Sequence, residues 1–348
     1  MTGLIRKLED QGRLCASEFA ALIDGRNEQT AALLAQRAMI HRQHWYGRDV
    51  FIRGLIEFTN HCKNDCLYCG LRRSNRGLCR YRLTPEEILQ CCETGYGLGL
   101  RSFVLQGGED PLFTPATMAV LIQEIKNRWP DCALTLSLGE HPRSVYQSWF
   151  DAGADRYLLR HETADPNHYA LLHPKNQRLE DRIRCLYDLK DIGYQVGSGF
   201  MVGSPGQTTE HLVKDLLFLA DLRPHMIGIG PFIPQKDTPF AKETAGSAEL
   251  TAYLLSILRL MMPQVLLPAT TALGTIHPRG RELGLMAGAN VCMPNLSPQA
   301  VREQYALYDN KLSTGEEAAE SLNGLRTRIE AAGFQMSLTR GDHISKRS

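Results

Sequence analysis

Three cysteines, Cys62, Cys66 and Cys69, share one short run, Cys62-Lys63-Asn64-Asp65-Cys66-Leu67-Tyr68-Cys69. Thiolates at that spacing can converge on one metal centre from a single loop. A cubane iron-sulfur cluster ordinarily takes four cysteines, so a set of three leaves one iron open to an outside ligand. Zinc could take the same thiolates with His61 as a fourth ligand. Adjacent His61 and Cys62 are awkward to direct at one tetrahedral ion, however, and the second half of a zinc ribbon is missing. Cys15, Cys79, Cys91, Cys92, Cys132, Cys185 and Cys292 show no ligand spacing and read as packing or incidental thiols.

A chemical loop needs elements to hold it. Helical spacing of Leu and Ala marks 17–24 and 27–41. Beyond them, β-rich runs at 51–58, 102–106, 134–138, 156–159, 195–200, 226–230, 265–269 and 289–293 alternate with amphipathic segments such as 85–94, 115–127 and 208–221, which are opened by Thr caps or Pro. Such alternation implies parallel strands, and the number of runs matches a (β/α)8 TIM-type barrel. A doubly wound sheet has the same local pattern, but polar residues collect at the C-terminal ends of the runs, where a barrel places its active site. We therefore expect an α/β fold: residues 1–50 as an N-terminal helical extension packed on the barrel, and 51–348 as the barrel with C-terminal helices.

Lys and Arg total 39 against 38 Asp and Glu, for a formal net charge of +1, so no global field draws in nucleic acid or an acidic membrane. The N-terminal residues carry charges throughout and lack the apolar core of a signal peptide, and the longest apolar stretch is broken by Arg259 and Pro263. The expected location is cytoplasmic, where thiols stay reduced.

The motif Cys62-X3-Cys66-X2-Cys69, with aromatic Tyr68 before the last cysteine, resembles the signature of the radical S-adenosylmethionine (SAM) superfamily. Gln106-Gly107-Gly108-Glu109, at the end of the second strand run, resembles its Gly-Gly-Glu motif. The runs 135–140, 152–163, 201–207, 228–234, Pro268-Ala269-Thr270-Thr271-Ala272 and Met293-Pro294-Asn295 further resemble the branch that matures iron-only (FeFe) hydrogenases, over about 51–308. That resemblance implies one 4Fe-4S cluster on Cys62, Cys66 and Cys69 with SAM on the open iron. The reduced cluster would then cleave SAM to methionine and a 5'-deoxyadenosyl radical. No cysteine follows Cys292, so a second cluster seen in some members is not expected.

SAM presents an ammonium, a carboxylate, a ribose diol and an adenine, each asking for a different partner. Glu109, beside Gly107 and Gly108, suits the ammonium; Arg182 is assigned to the carboxylate by the resemblance; Ser137 and Glu162 suit the ribose; Tyr68 and the turn at Gly203 suit the adenine. Glu162 paired with a local arginine is the competing reading. For substrate, Thr135, Arg160, Thr270 and Thr271 would converge in the barrel and offer a cation and hydroxyls to a small anion. The resemblance adds Gln106, Met226, Met293, Tyr305 and Tyr308. It also implies a cysteine-bound iron carbonyl-cyanide substrate, other hydrogenase maturases as partners and a reducing electron donor. Related alternatives resemble methylornithine synthase or biotin synthase. A zinc-stabilised barrel acting as hydrolase or binding protein is the remote one.

Overall fold

The computed structural model describes residues 1–312 and 319–346. Six parallel strands, Gly54–Thr59, Ser102–Gly107, Ala133–Ser137, Arg156–Leu158, Gln195–Ser198 and Met226–Ile227, form one sheet in chain order. Bridges from Met226 to Leu266, from Pro268 to Val291 and from Leu55 to Asn295 carry the pairing round to the first strand. The ring is thus closed by the segment 265–268 and the strand Val291–Cys292, as the sequence pattern predicts. Along Ser102–Gly107, Phe103 and Leu105 pack outward in the main apolar core while Val104 and Gln106 point inward, the period-2 pattern of a strand covered on both faces.

Helices between the strands start where the sequence places their caps. Thr84 and Glu87 form a reciprocal capping box ahead of Pro85–Gly97, with Thr84 N donating to Glu87 Oε2 at 2.7 Å. Thr114 caps Pro115–Arg128 more simply, its hydroxyl accepting from Thr117 N at 3.2 Å.

Three details differ from the sequence pattern. A first helix, Thr2–Gln11, buries Ile5 and Leu8, a stripe diluted in sequence by Arg6, Lys7 and Glu9. The run 51–58 is two strands, because Asp49–Ile52 pairs with Val291–Cys292 on one side and Gln335–Ser337 on the other. The run 195–200 breaks at Gly199 (φ +154°), where a Cβ would stand 2.0 Å from Gly228 O.

Helix Glu28–Tyr46 is tied to the barrel by Arg42, which donates to Ala289 O (3.0 Å), Gly47 O (3.0 Å) and Asp49 O (2.7 Å). At the barrel floor, the chain around Asp342 is drawn in by Arg156 Nη2 (2.6 Å) and Gln195 Nε2 (2.7 Å), and Arg53 Nη2 donates to Gly341 O at 3.2 Å. Among the described residues no helix is long and apolar enough to cross a membrane.

Candidate active site at the barrel mouth

The cysteine loop leaves the first barrel strand at Thr59 and is held by polar side chains within it. Asn60 Nδ2 donates to Cys79 O and Gln304 O, both at 2.8 Å, and the Arg80 guanidinium bonds Leu71 O (2.9 Å), Arg72 O (2.7 Å) and Asn75 O (3.1 Å). Lys63 N donates to Glu109 O at 2.9 Å, tying the loop to the end of the second strand. A Cβ on Gly108 would lie 2.2 Å from His61 O, so this close approach requires glycine.

Burial pushes all three thiols up, Cys66 well above the usual range and Cys69 to about 12. The fold alone therefore keeps them protonated, and a thiophilic metal must draw the protons off. Among the described residues no trio of His, Cys, Asp or Glu is gathered tightly enough for a single metal ion. Three thiols on one loop, with Cys69 opening on a polar cavity, have the soft-donor chemistry that an iron-sulfur cluster with one open iron asks for.

Beside Cys69 lies a cavity of about 300 Å³ lined by Tyr68, Gln106, Gly107, Ser137, Arg160, Glu162, Arg182, Thr270, Tyr305 and Tyr308, among others. Arg182, on helix Leu179–Ile192, is buried, unlike the solvated arginine its helical position would suggest. Its Nη2 stands 2.8 Å from Glu140 Oε1, its Nε donates to Tyr169 Oη at 3.0 Å and its Nη1 donates to Arg160 O at 3.1 Å. Burial opposes the charge of Arg182, but Tyr169, Glu140, Tyr68 and Glu162 outweigh it and raise its pKa. Burial also lifts the Glu140 carboxyl, against Arg182.

Glu162 adopts φ +66°, a left-handed conformation costly for a non-glycine residue, and lies 3.0 Å from Arg160 Nη2. The local arginine pair considered from sequence is thus present. It is not aligned as a hydrogen bond: Glu162 Oε2 and Arg160 Nη2 and Nε are buried without a hydrogen-bond partner, as is Thr270 Oγ1. Such a set around one cavity fits a polar ligand with both charged and hydroxyl groups.

The other expected residues are placed less directly. Glu109 stands just outside this lining, where Lys63 Nζ approaches Oε2 at 3.1 Å and Glu140 N donates to Oε1 at 3.1 Å. Gly203 (φ +72°) donates its N–H to Gln207 Oε1 at 2.6 Å and is not part of the cavity wall. Thr135 is buried inside the barrel with its Oγ1 lacking a hydrogen-bond partner. Met226 and Met293 belong to an apolar cluster with Phe51 and Leu266, and Arg53 Nη1 lies 3.0 Å from Met226 Sδ. Thr271 opens helix Thr271–Ile276 beside the mouth.

Four residues at the site were not anticipated. Gly139 (φ +79°) leaves room for Glu109, whose Oε1 would be 2.1 Å from a Cβ there; its position just past a strand end is the signal that could have found it. Glu140, Tyr169 and His173 carry no spacing signal. His173 Nδ1 lies 3.0 Å from Tyr169 O, and since a carbonyl only accepts, Nδ1 carries the proton. Its Nε2, 3.2 Å from Tyr68 Oη, then accepts from the tyrosine.

A closed parallel barrel with a three-cysteine loop and a polar cavity at its C-terminal mouth defines a class, and the comparisons agree with it. Residues 56–219 match the Radical SAM superfamily, and the chain belongs to it. It is accordingly an enzyme that uses a 4Fe-4S cluster and SAM. The chain is 48% identical to the [FeFe] hydrogenase maturase subunit HydE of Thermotoga maritima over 84% of its own length and 83% of that protein's. It is 30% identical to 3-methylornithine synthase of Methanosarcina acetivorans, covering 94% and 92% of the two chains. The crystal structure of methylornithine synthase superposes with a TM-score of 0.85 at 28% identity, over 96% of this chain and 97% of that one. Membership of this family removes the zinc-barrel hydrolase alternative.

Proposed function

We propose that this radical SAM enzyme acts in assembling the di-iron subcluster of iron-only hydrogenase, on a cysteine-bound iron carbonyl-cyanide precursor. The observation that carries the reading is the 48% identity to HydE over 84% of the chain, against 30% to the methylornithine synthase. Other maturases and a reducing protein are the partners it calls for.

Cys62, Cys66 and Cys69 would hold the cluster, and the loop contacts of Asn60, Arg80 and Gly108 would keep their sulfurs in place. When bound, the reduced cluster supplies the electron that splits SAM into methionine and a 5'-deoxyadenosyl radical. Glu109 would take the SAM ammonium with Gly107 and Gly108 giving it close approach, and Arg182, oriented by Glu140 and Tyr169, would take the carboxylate. Ser137 and Glu162 would hold the ribose. Tyr68, held by His173, and the turn at Gly203 would flank the adenine. Arg160, Thr270 and Thr135, with Thr271 beside the mouth, would bind the anionic end of the substrate, and Gln106, Met226, Met293, Tyr305 and Tyr308 would serve as walls. With SAM and substrate bound, these side chains would hold the reacting groups in close, fixed approach, so that positioning decides where the radical reacts.

The barrel's likeness to methylornithine synthase supports a second reading, rearrangement of a free amino acid. One experiment separates them. The anaerobically reconstituted protein is added to a hydrogenase maturation mixture lacking only this component, beside a Cys66→Ala control. Hydrogen production with wild type alone is the expected result; SAM cleavage without hydrogenase activity, and methylornithine from lysine, would transfer the function to the second reading.

A further inference from the structure

Among the described residues that line the cavity, Glu162 is the one side chain carried on a left-handed backbone (φ +66°), and its Oε2 is buried without a hydrogen-bond partner. Thr163 N donates to His161 O at 2.9 Å, so Glu162 is the centre of a three-residue turn of the positive-φ kind, which is rare because it is strained. Glu162 N donates to Gly199 O at 3.1 Å and Met201 N donates to Glu162 O at 3.3 Å, which fixes the residue to the neighbouring strand. These bonds leave the two ends of the turn to be held from elsewhere, and a strained turn persists only where its surroundings hold it.

The groups that hold it are His161, Ser198 and Asp215, all fully buried and none of them on the cavity wall. His161 Nε2 lies 3.2 Å from Oδ1 of Asp215, on helix Thr209–Leu222, and the same oxygen accepts from Ala164 N at 2.6 Å. One carboxyl oxygen thus bonds the residue before Glu162 and the residue two after it. Because Oδ1 is already the acceptor for Ala164, Nε2 carries the imidazole proton, and Nδ1 then accepts from the Ser198 hydroxyl at 3.0 Å. Burial keeps the ring neutral, lowering its pKa to about 3, in keeping with a single ring proton. The rings of Phe200 and Phe218 flank the imidazole at 5.9 and 4.8 Å between centroids, so it is packed on its sides as well as bonded at both nitrogens. Burial also pushes the Asp215 carboxyl well up, so the turn draws on its oxygen as an acceptor rather than on a negative charge.

We propose that the buried Asp215–His161 pair is a positioning device for SAM recognition: by clamping both ends of the turn it keeps the Glu162 carboxylate aimed into the cavity, preorganised for the two ribose hydroxyls. The proposal rests on the reading of Glu162 as the ribose ligand. Neither member of the pair touches SAM; both act through Glu162. A carboxylate free to swing would lose affinity to its own ordering on binding, and a strained turn released at one end would swing.

The test measures dissociation constants of SAM and of its 2',3'-dideoxy analogue on the reconstituted holoenzyme, with the cluster kept oxidised so that neither ligand is cleaved. Wild type is compared with Glu162→Ala, with Asp215→Leu, which is similar in shape but has no acceptor, and with Asp215→Asn, which keeps one. Wild type should prefer SAM to the analogue by about tenfold or more. Asp215→Leu and Glu162→Ala should each lose most of that preference with analogue binding unchanged, the double variant should lose no more than either, and Asp215→Asn should retain it. Preference kept in Asp215→Leu but lost in Glu162→Ala, or equal weakening of both ligands in Asp215→Leu, overturns the clamp alone. Preference kept in Glu162→Ala overturns the ribose reading, and the clamp with it. If Asp215→Leu does not fold, His161→Phe, which keeps a ring between Phe200 and Phe218 and removes one anchor, goes through the same titrations; failure of both to fold makes the pair a stability element and overturns the proposal.

Discussion

Each thiol at the cysteine loop sits where burial favours its protonated form, so cluster assembly depends on all three sulfurs closing on iron together. Cys66→Ser should abolish the brown chromophore and bring iron per chain close to zero on anaerobic reconstitution, read by absorbance and iron analysis, while the melting temperature of the apoprotein stays near that of wild type. His173 bears on Tyr68 of the same loop. Burial lowers its pKa to about 3, from the 6.5 of an ordinary imidazole. Between those values the unfolded chain binds a proton that the folded chain refuses, so stability falls as pH drops through this window. The contribution lost by pH 5 is roughly 1–2 kcal/mol. His173→Phe should flatten that part of the stability-against-pH curve in chemical denaturation. By freeing the Tyr68 hydroxyl it should also raise the KM for SAM more than it lowers kcat, and His173→Gln, which keeps an acceptor, should restore part of the loss. An unchanged KM in His173→Phe would remove Tyr68 from the adenine wall.

At the level of elements, two strand-end glycines decide whether loops can meet. Gly108 lets the cysteine loop lie on the end of Ser102–Gly107, and Gly139, past Ala133–Ser137, lets Glu109 reach across. A methyl group on Gly108 would meet backbone, which cannot swing aside, whereas on Gly139 it would meet the Glu109 side chain and be strained by the existing φ of +79°. Gly108→Ala should cost about 1–3 kcal/mol and lower cluster occupancy. Gly139→Ala should leave iron content near wild type and weaken SAM binding by displacing Glu109. Iron analysis and SAM titration on the two variants distinguish these effects, and equal behaviour in both assays would argue against the separate roles.

For the whole molecule, closure at the floor matters as much as the open mouth. Arg156 is buried and its charge is met by Asp342, near the end of the described chain, with Arg340 bridging Asp342 and Asp155 at 2.8 Å to each. Burial works against the Asp342 charge, but Arg156, Gln195 and Arg340 hold its pKa far below the usual carboxylate range. Asp342→Ala leaves a buried guanidinium without its counter-charge, so a loss of about 3–5 kcal/mol is expected in urea unfolding. SAM affinity in the folded fraction should be preserved, because the floor and the mouth lie at opposite ends of the barrel. A loss below 1 kcal/mol would show that Arg156 finds another partner.

The amino-acid sequence by itself determined the class of fold and the chemistry of the loop. Strand runs, Thr and Pro caps and cysteine spacing are local patterns, set by periodicity over a few residues, and they survive without knowledge of the partners. Arg182 shows the limit: on its helix it reads as a solvated cation, and only the approach of Glu140, Tyr169 and Arg160 from separate segments makes it a buried anchor. His173 likewise becomes a hydrogen-bond acceptor for Tyr68 because the backbone of Tyr169 takes its other nitrogen. The kink at Gly199 and the two-part first strand depend on what lies alongside them, Gly228 in one case and Gln335–Ser337 in the other. Tertiary structure decided these matters because burial, tautomer and close backbone approach depend on residues far apart in the chain, which no local spacing encodes.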